Sequence, residues 1–271
     1  MKLLASLVLC FVALASLGPT IPSQAAPAAE PGNARPSPGP VPVIVELFTS
    51  EGCSTCPPAD ALLMQLESEQ PIPGVEVIAL EEHVDYWNSG GWFDPFSSAE
   101  MTSRQQRYAE TFHGSPYTPQ MVVDGQWQLV GSRSSQAVSA IAGAAKNPQA
   151  PIAISRATVE ADGHDEWTVT VPHLAEASGD TGEVWVAITE AGLHSNVGRG
   201  ENAGQNLAHA AVVRQLSKLG SADPRKDPAF SGVAKFSLRK EWKVQNLELV
   251  AFVQQKKSRH IVGAAALKVA P

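Results

Sequence analysis

The rhythm of apolar and polar positions changes partway along this chain. Val43-Ile44-Val45-Glu46-Leu47-Phe48 is a short, almost continuous apolar run, the pattern of a strand buried on both faces. It enters a polar turn, Thr49-Ser50-Glu51-Gly52, followed by Cys53-Ser54-Thr55-Cys56. Pro57 and Pro58 suit the first turn of a helix, where a missing N–H costs little, and Ala59 to Glu67 continues as a helix former. Pro71-Ile72-Pro73-Gly74 breaks the chain, and Val75 to Leu80 predicts a second buried strand, parallel to the first across the helix. Ser97 or Ser98 can cap a helix through Met101, Gln105 and Tyr108 that stops at Gly114-Ser115-Pro116. Tyr117 to Val123 predicts a strand, Asp124-Gly125 a hairpin turn, and Trp127 to Val130 the return strand. Ser134 to Lys146 predicts a last helix with Ala137, Ile141 and Ala144 or Ala145 on one face.

After Asn147-Pro148-Gln149-Ala150-Pro151 the period switches to two. Ile152–Val159, Glu166–Val171, Val184–Ile188, Lys235–Arg239, Leu247–Val253 and Ile261–Val269 predict short strands, with turn signals at Asp162-Gly163, Ser178-Gly179-Asp180 and Lys256-Lys257-Ser258. Gly198 to Gly220 is irregular and is expected to be an inter-strand loop with a solvated Arg214; the alternatives are contact with the first domain and a site role for His209 and Arg214. The expected organisation is an α/β domain over residues 43–147 followed by an all-β sandwich over 151–271.

Ahead of these, Lys2 precedes the apolar run Leu3 to Leu17, and Ser23-Gln24-Ala25 offers small residues for cleavage. This predicts a signal peptide over residues 1–25, too short to span a membrane comfortably, and places the mature protein in the periplasm or outside the cell. Residues 26–42, rich in Pro and Ala, predict an extended linker. The net charge of −7 excludes a general nucleic-acid binder, which needs a basic face.

Cleavage would remove Cys10 and leave Cys53 and Cys56 as the thiols of the mature chain. Closing so small a loop restricts the unfolded chain little, so chemistry is a better reason for the pair than stapling. Backbone N–H groups at a helix N-terminus favour a thiolate; a carboxylate at Glu51 opposes it. Cys53 is expected to attack and Cys56 to resolve the mixed disulfide. The aromatic stretch Glu81 to Phe96 carries Tyr86, Trp87, Trp92, Phe93 and Phe96, as a rim near the dithiol or as packing.

Val45 to Leu66 with Thr118-Pro119 resembles the thioredoxin superfamily. The resemblance implies a cis-proline at Pro119 beside the dithiol, making Cys53, Cys56 and Pro119 the catalytic set. Thr118 and Trp87 are the expected substrate contacts. Glu46 resembles that superfamily's buried acid but sits one residue farther from the first cysteine, so it is also compatible with a solvent-facing or turn-capping role. The longer string Glu46 to Asp60, with His83-Val84-Asp85-Tyr86-Trp87 and Gly200-Glu201-Asn202-Ala203-Gly204, is similar to the exported domain-of-unknown-function family 1223. The expected function is a thiol–disulfide oxidoreductase acting on protein thiols or disulfides without metal or organic cofactor. Two alternatives stay open: a binding module with a structural disulfide, and copper delivery using the thiolates with His83 or His113.

Overall fold

Strand β1 (Val41–Thr49) begins two residues before the expected start at Val43 and runs to the edge of the cysteine turn. In this computed structural model residues 39–159, 164–176 and 180–270 are described; the expected signal peptide, most of the linker and the turns at 162–163 and 178–179 lie outside them. From Gly39 onward the chain forms one compact unit.

The first half follows the expected order: α1 (Pro57–Glu69), β2 (Val75–His83), a 3-10 turn at Tyr86–Gly90, α2 (Ala99–Thr111), β3 (Gln120–Val123), β4 (Trp127–Val130) and α3 (Ser134–Ala144). Cys56 is the N-cap of α1, and the helix stops at Gln70, whose left-handed φ of 46° lets its N–H reach the Leu66 carbonyl. Ser98 caps α2 by accepting from the Met101 N–H at 3.3 Å. β1 and β2 are parallel, and β3 and β4 form the antiparallel hairpin on the other side of β1.

The second half contributes β5 (Ala153–Val159), β6 (His164–Val171), β7 (Gly182–Glu190), β8 (Leu193–Asn196), β9 (Asn206–His209), β10 (Val212–Ala222), β11 (Phe230–Ser237), β12 (Leu247–Gln255) and β13 (Ile261–Lys268). Here the expectation of a thioredoxin-like α/β domain followed by a separate β-sandwich is overturned. One mixed eight-stranded sheet runs through both halves in the order β13-β12-β7-β10-β2-β1-β3-β4, and β11-β6-β5 form a second, three-stranded sheet. The joint is β10, which pairs antiparallel with β7 along most of its length and parallel with β2 where Val212 meets Glu81. It lies largely within the stretch expected to be irregular. Register shifts between Val213 and Gln215 and between Lys218 and Gly220 break its alternation, which hides a strand from a period-2 reading.

The core confirms the continuity. Alternate residues of β1 point to opposite faces. Val43, Val45 and Leu47 pack with Leu62, Leu63, Leu66 and Ile141 of α1 and α3. Ile44 instead joins Ile78, Leu80 and Met101 with Val213, Val250 and Phe252 of the second half, so one apolar layer crosses the presumed boundary. The small sheet packs Trp167, Val169 and Phe236 over Val184, Val186, Leu249 and Val253. The Asp124-Gly125 turn adds a further stitch. Asp124 Oδ1 accepts from the Ile44 N–H at 2.8 Å and its carbonyl accepts from the Ile261 N–H at 2.8 Å. Gly125, with φ of 64°, leaves room for the Arg259 carbonyl, which would stand 1.9 Å from any added Cβ.

Candidate functional site

Cys53 and Cys56 form a disulfide at the junction of β1 and α1, with 5.4 Å between their Cα atoms. The turn winds tightly: the Cys53 N–H donates to the Ser50 carbonyl and the Cys56 N–H to the Cys53 carbonyl. The Cys56 carbonyl then accepts from the N–H groups of Ala59 and Asp60, starting the helix. Gly52 lies close to Trp87, whose Cβ would stand 3.1 Å from an added Cβ and would have to give way slightly. Both cysteines are buried, Cys53 at 1% and Cys56 at 0% exposure, while Ser54 and Thr55 are exposed.

The cover comes from the Gly200–Gly204 segment. Asn202 is buried and donates through Nδ2 to the carbonyls of Glu51 (2.9 Å) and Cys53 (3.0 Å). Glu201 accepts from the Ser54 N–H at 3.1 Å, which helps hold its carboxyl below the usual range. The stretch expected to be a plain loop thus holds the cysteine turn by its backbone.

Behind that turn lies a closed ring of buried ionisable side chains. Strand alternation sends Glu81 and His83 of β2 to the α1 face and Glu82 to the α2 face. On the α1 face, Glu51 Oε1 lies 3.1 Å from His209 Nε2, and His209 Nδ1 lies 2.7 Å from Glu81 Oε1. His83 Nε2 approaches the same Glu81 oxygen at 3.3 Å, and His83 Nδ1 meets Asp94 Oδ2 at 2.7 Å. Asp94 Oδ2 also accepts from the Glu51 N–H at 2.9 Å, closing the ring. Trp92 Nε1 donates to Glu51 Oε2 at 2.7 Å, and Phe96 packs edge-on against both imidazoles at 5.4 Å. So part of the aromatic stretch packs as walls of the ring, while Phe93 stays 73% exposed.

The ring's electrostatics follow from burial and pairing. Burial pushes Glu81 up, but the imidazoles of His209 and His83 outweigh it and hold the carboxyl down at about 2. Burial lowers His209, yet Glu51 and Glu81 bring it up to about 9. His83 is likewise raised against its burial, chiefly by Asp94, and Asp94 is lowered in turn by His83. Asp60, in the first turn of α1 and held by Thr49 Oγ1 at 2.6 Å, is pushed up to about 7 by burial and by the charge on Glu81.

On the opposite face Glu46 is fully buried, neither facing solvent nor capping a turn. It accepts from Arg104 Nε at 2.6 Å and from Tyr108 Oη at 2.5 Å. Arg104 also reaches Gln254 Oε1 at 3.2 Å and stands 3.3 Å from Glu82 Oε1. Burial, with Glu46 alongside, raises Glu82 well above the carboxylate range. This cluster braces the sheet; it belongs to the α2 side, not to the cysteine turn.

The Thr118–Pro119 bond is cis. An added Cβ at Gly131 would fall 3.0 Å from Ala59 Cβ and 3.3 Å from Pro119 Cβ, which places Pro119 by the first turn of α1. Trp87 Nε1 donates to Thr118 Oγ1 at 2.7 Å, so the two expected substrate contacts are bonded to each other. His113 is exposed just beyond α2 with φ of 56°, whereas His83 sits in the buried ring. Glu81 and Asp94 carry no sequence signal, and the pairing of Glu51 with His209 was not foreseen. They lie far apart in sequence with no diagnostic spacing, and only the Gly200–Gly204 string hinted that this segment matters. A separate cleft of about 500 Å³, lined by Gln126, Pro148, His173 and His260 among others, shares no residue with the ring.

Fold and site together define a disulfide-bearing protein built on one mixed sheet. The chain belongs to the family described as protein of unknown function (DUF1223), which matches residues 44–254. Two solved structures are similar. Protein AGR_C_4864 from Agrobacterium tumefaciens is 25% identical, with a TM-score of 0.59 over 85% of this chain and 96% of that one. HBP35 of Porphyromonas gingivalis is 16% identical, with a TM-score of 0.58 over 85% and 76%, and shows the fold alone. No curated protein matches. These comparisons establish the family and lend no support to membership of the thioredoxin superfamily. No helix among the described residues is long and apolar enough to cross a membrane.

Proposed function

We propose that this protein is a thiol–disulfide exchange protein of the cell envelope or exterior, working through Cys53 and Cys56. The observation that carries the reading is the disulfide itself. It joins residues three apart at the first turn of α1, where it closes too small a loop to stabilise the fold much. A partner thiolate attacks Cys53 Sγ and the Cys53–Cys56 bond breaks, leaving a mixed disulfide and a thiolate at Cys56. The partner's second thiol then displaces Cys53, so the partner is oxidised to a disulfide and the pair is reduced to a dithiol; the reverse order reduces a partner. The positive end of the α1 dipole favours a thiolate at Cys56. Trp87, Thr118 and Pro119 are the rim against which a partner chain would lie.

A second reading, a structural disulfide in a binding module, is favoured by the burial of both sulfurs under the Asn202 clamp. A trapping experiment separates the two. Cys56→Ser leaves Cys53 without its resolving partner, so exchange activity should accumulate proteins joined to Cys53 that dithiothreitol releases. A folded Cys56→Ser protein that traps nothing in its own exporting cells sinks the exchange reading.

A further inference from the structure

The ring behind the cysteine turn contains a ligand set that the redox reading does not use. One oxygen of Glu81 and one nitrogen each of His83 and His209 lie within 4.8 Å of one another, all buried. From the observations below we infer that Glu81, His83 and His209 form a binding site for a single divalent transition-metal ion, with Asp94 and Glu51 as its outer shell.

The first observation is an unpartnered atom. His83 Nε2 is buried and makes no hydrogen bond, although it stands only 3.3 Å from Glu81 Oε1. A buried imidazole nitrogen without a partner costs free energy unless something else engages it. The second is how the two histidines are held. Each uses one nitrogen on a carboxylate away from Glu81: His83 Nδ1 on Asp94 Oδ2 at 2.7 Å, His209 Nε2 on Glu51 Oε1 at 3.1 Å. Each turns its other nitrogen to Glu81 Oε1, at 3.3 Å and 2.7 Å. Carboxylate, histidine, metal is the arrangement by which proteins orient imidazole ligands and fix their tautomers.

Size and charge agree. Ligand atoms about 2.05 Å from a tetrahedral ion lie about 3.3 Å apart. The His83–Glu81 separation already meets that spacing, the His209–Glu81 contact would open by roughly 0.6 Å, and the two imidazole nitrogens, within 4.8 Å of each other, would draw in toward the same spacing. Three carboxylates converge on two imidazoles here, and a divalent ion that displaces the two ring protons leaves the charge balance of the cluster unchanged. Two imidazoles and one carboxylate suit Zn2+ or Fe2+ better than Ca2+ or Mg2+, which prefer oxygen ligands. Phe96 against both rings shields the site on one side. Because Glu51 precedes Cys53 by two residues, the ion would fix the cysteine turn from behind, independently of any exchange reaction.

The test uses the full chain with its disulfide intact, stripped by chelator and titrated with Zn2+ alone. One ion per chain is expected. His83→Ala and His209→Ala should each weaken binding by about 100-fold or more, and Asp94→Asn by about 10- to 100-fold. X-ray absorption at the zinc edge of the wild-type protein should show two imidazoles, oxygen and no sulfur, a readout that stands even if a variant fails to fold. Absence of stoichiometric binding, sulfur in the coordination sphere, or folded histidine variants that bind like wild type would each overturn the site.

Discussion

Glu51 Oε1 and His209 Nε2 lie 3.1 Å apart although 158 positions separate them in the chain. The contact ties the residue two before Cys53 to the end of β9, and so ties the cysteine turn to the half of the protein expected to be a separate domain. His209 is held on its other side by Glu81 of β2 at 2.7 Å. The cysteine turn is therefore set by the whole sheet.

The Asn202 clamp should govern access to the disulfide. Asn202→Ala removes three hydrogen bonds, one of them from Gln205 Nε2, and leaves the Glu51 and Cys53 carbonyls without that donor. Loss of about 1–3 kcal/mol of stability is expected, together with faster reduction of the disulfide by dithiothreitol under native conditions. Urea unfolding and a timed thiol-labelling assay measure the two effects. An unchanged reduction rate would show that the clamp does not gate the sulfurs.

Arg104 and Glu82 should behave oppositely. Arg104→Ala strands Glu46 in the core without its ion-pair partner and should cost about 3–5 kcal/mol. Burial and the neighbouring Glu46 raise the Glu82 carboxyl well above the usual range, so Glu82→Gln, an amide of similar shape, should cost less than about 1 kcal/mol. Denaturant midpoints of the two variants at neutral pH check the contrast.

Asp124 predicts a pH dependence with a definite sign. Burial raises its carboxyl from 3.8 to about 7 in the folded protein, so the folded state holds the proton more tightly than the unfolded chain. Its contribution is fully present below about pH 4 and is lost as pH rises through about 7, up to roughly 4 kcal/mol. Asp124→Asn keeps an acceptor for the Ile44 N–H and removes the titration. The variant should match wild type near pH 4 and exceed it near pH 8, as followed by urea unfolding across that range. A parallel pH profile for the two proteins would contradict the assignment.

Much of the first half was legible because its elements obey local rules. The apolar run of β1, the prolines opening α1, the Ser98 cap and the Asp124-Gly125 turn all fall where they were expected. The architecture was not legible, because it depends on β10. Its two register shifts disguise it, and its partners β7 and β2 are chosen by tertiary packing that no local period records. The candidate site divides in the same way. The cysteine pair announces itself by spacing. Glu81 and Glu82 look like a polar strand end, yet alternation sends one to the histidine ring and the other to Arg104. His209 reads as a loop residue because its partners, Glu51 in the turn after β1 and Glu81 on β2, are remote in sequence.

Equilibrium with a glutathione redox buffer decides whether the Cys53–Cys56 pair exchanges with protein thiols. Structural disulfides of exported proteins have potentials below about −300 mV and resist the glutathione pool. An exchanging pair should show a potential above that value, with oxidised and reduced forms both populated across ordinary glutathione ratios. A pair that stays fully oxidised throughout that series, in protein shown to be folded and given time to equilibrate, would contradict it.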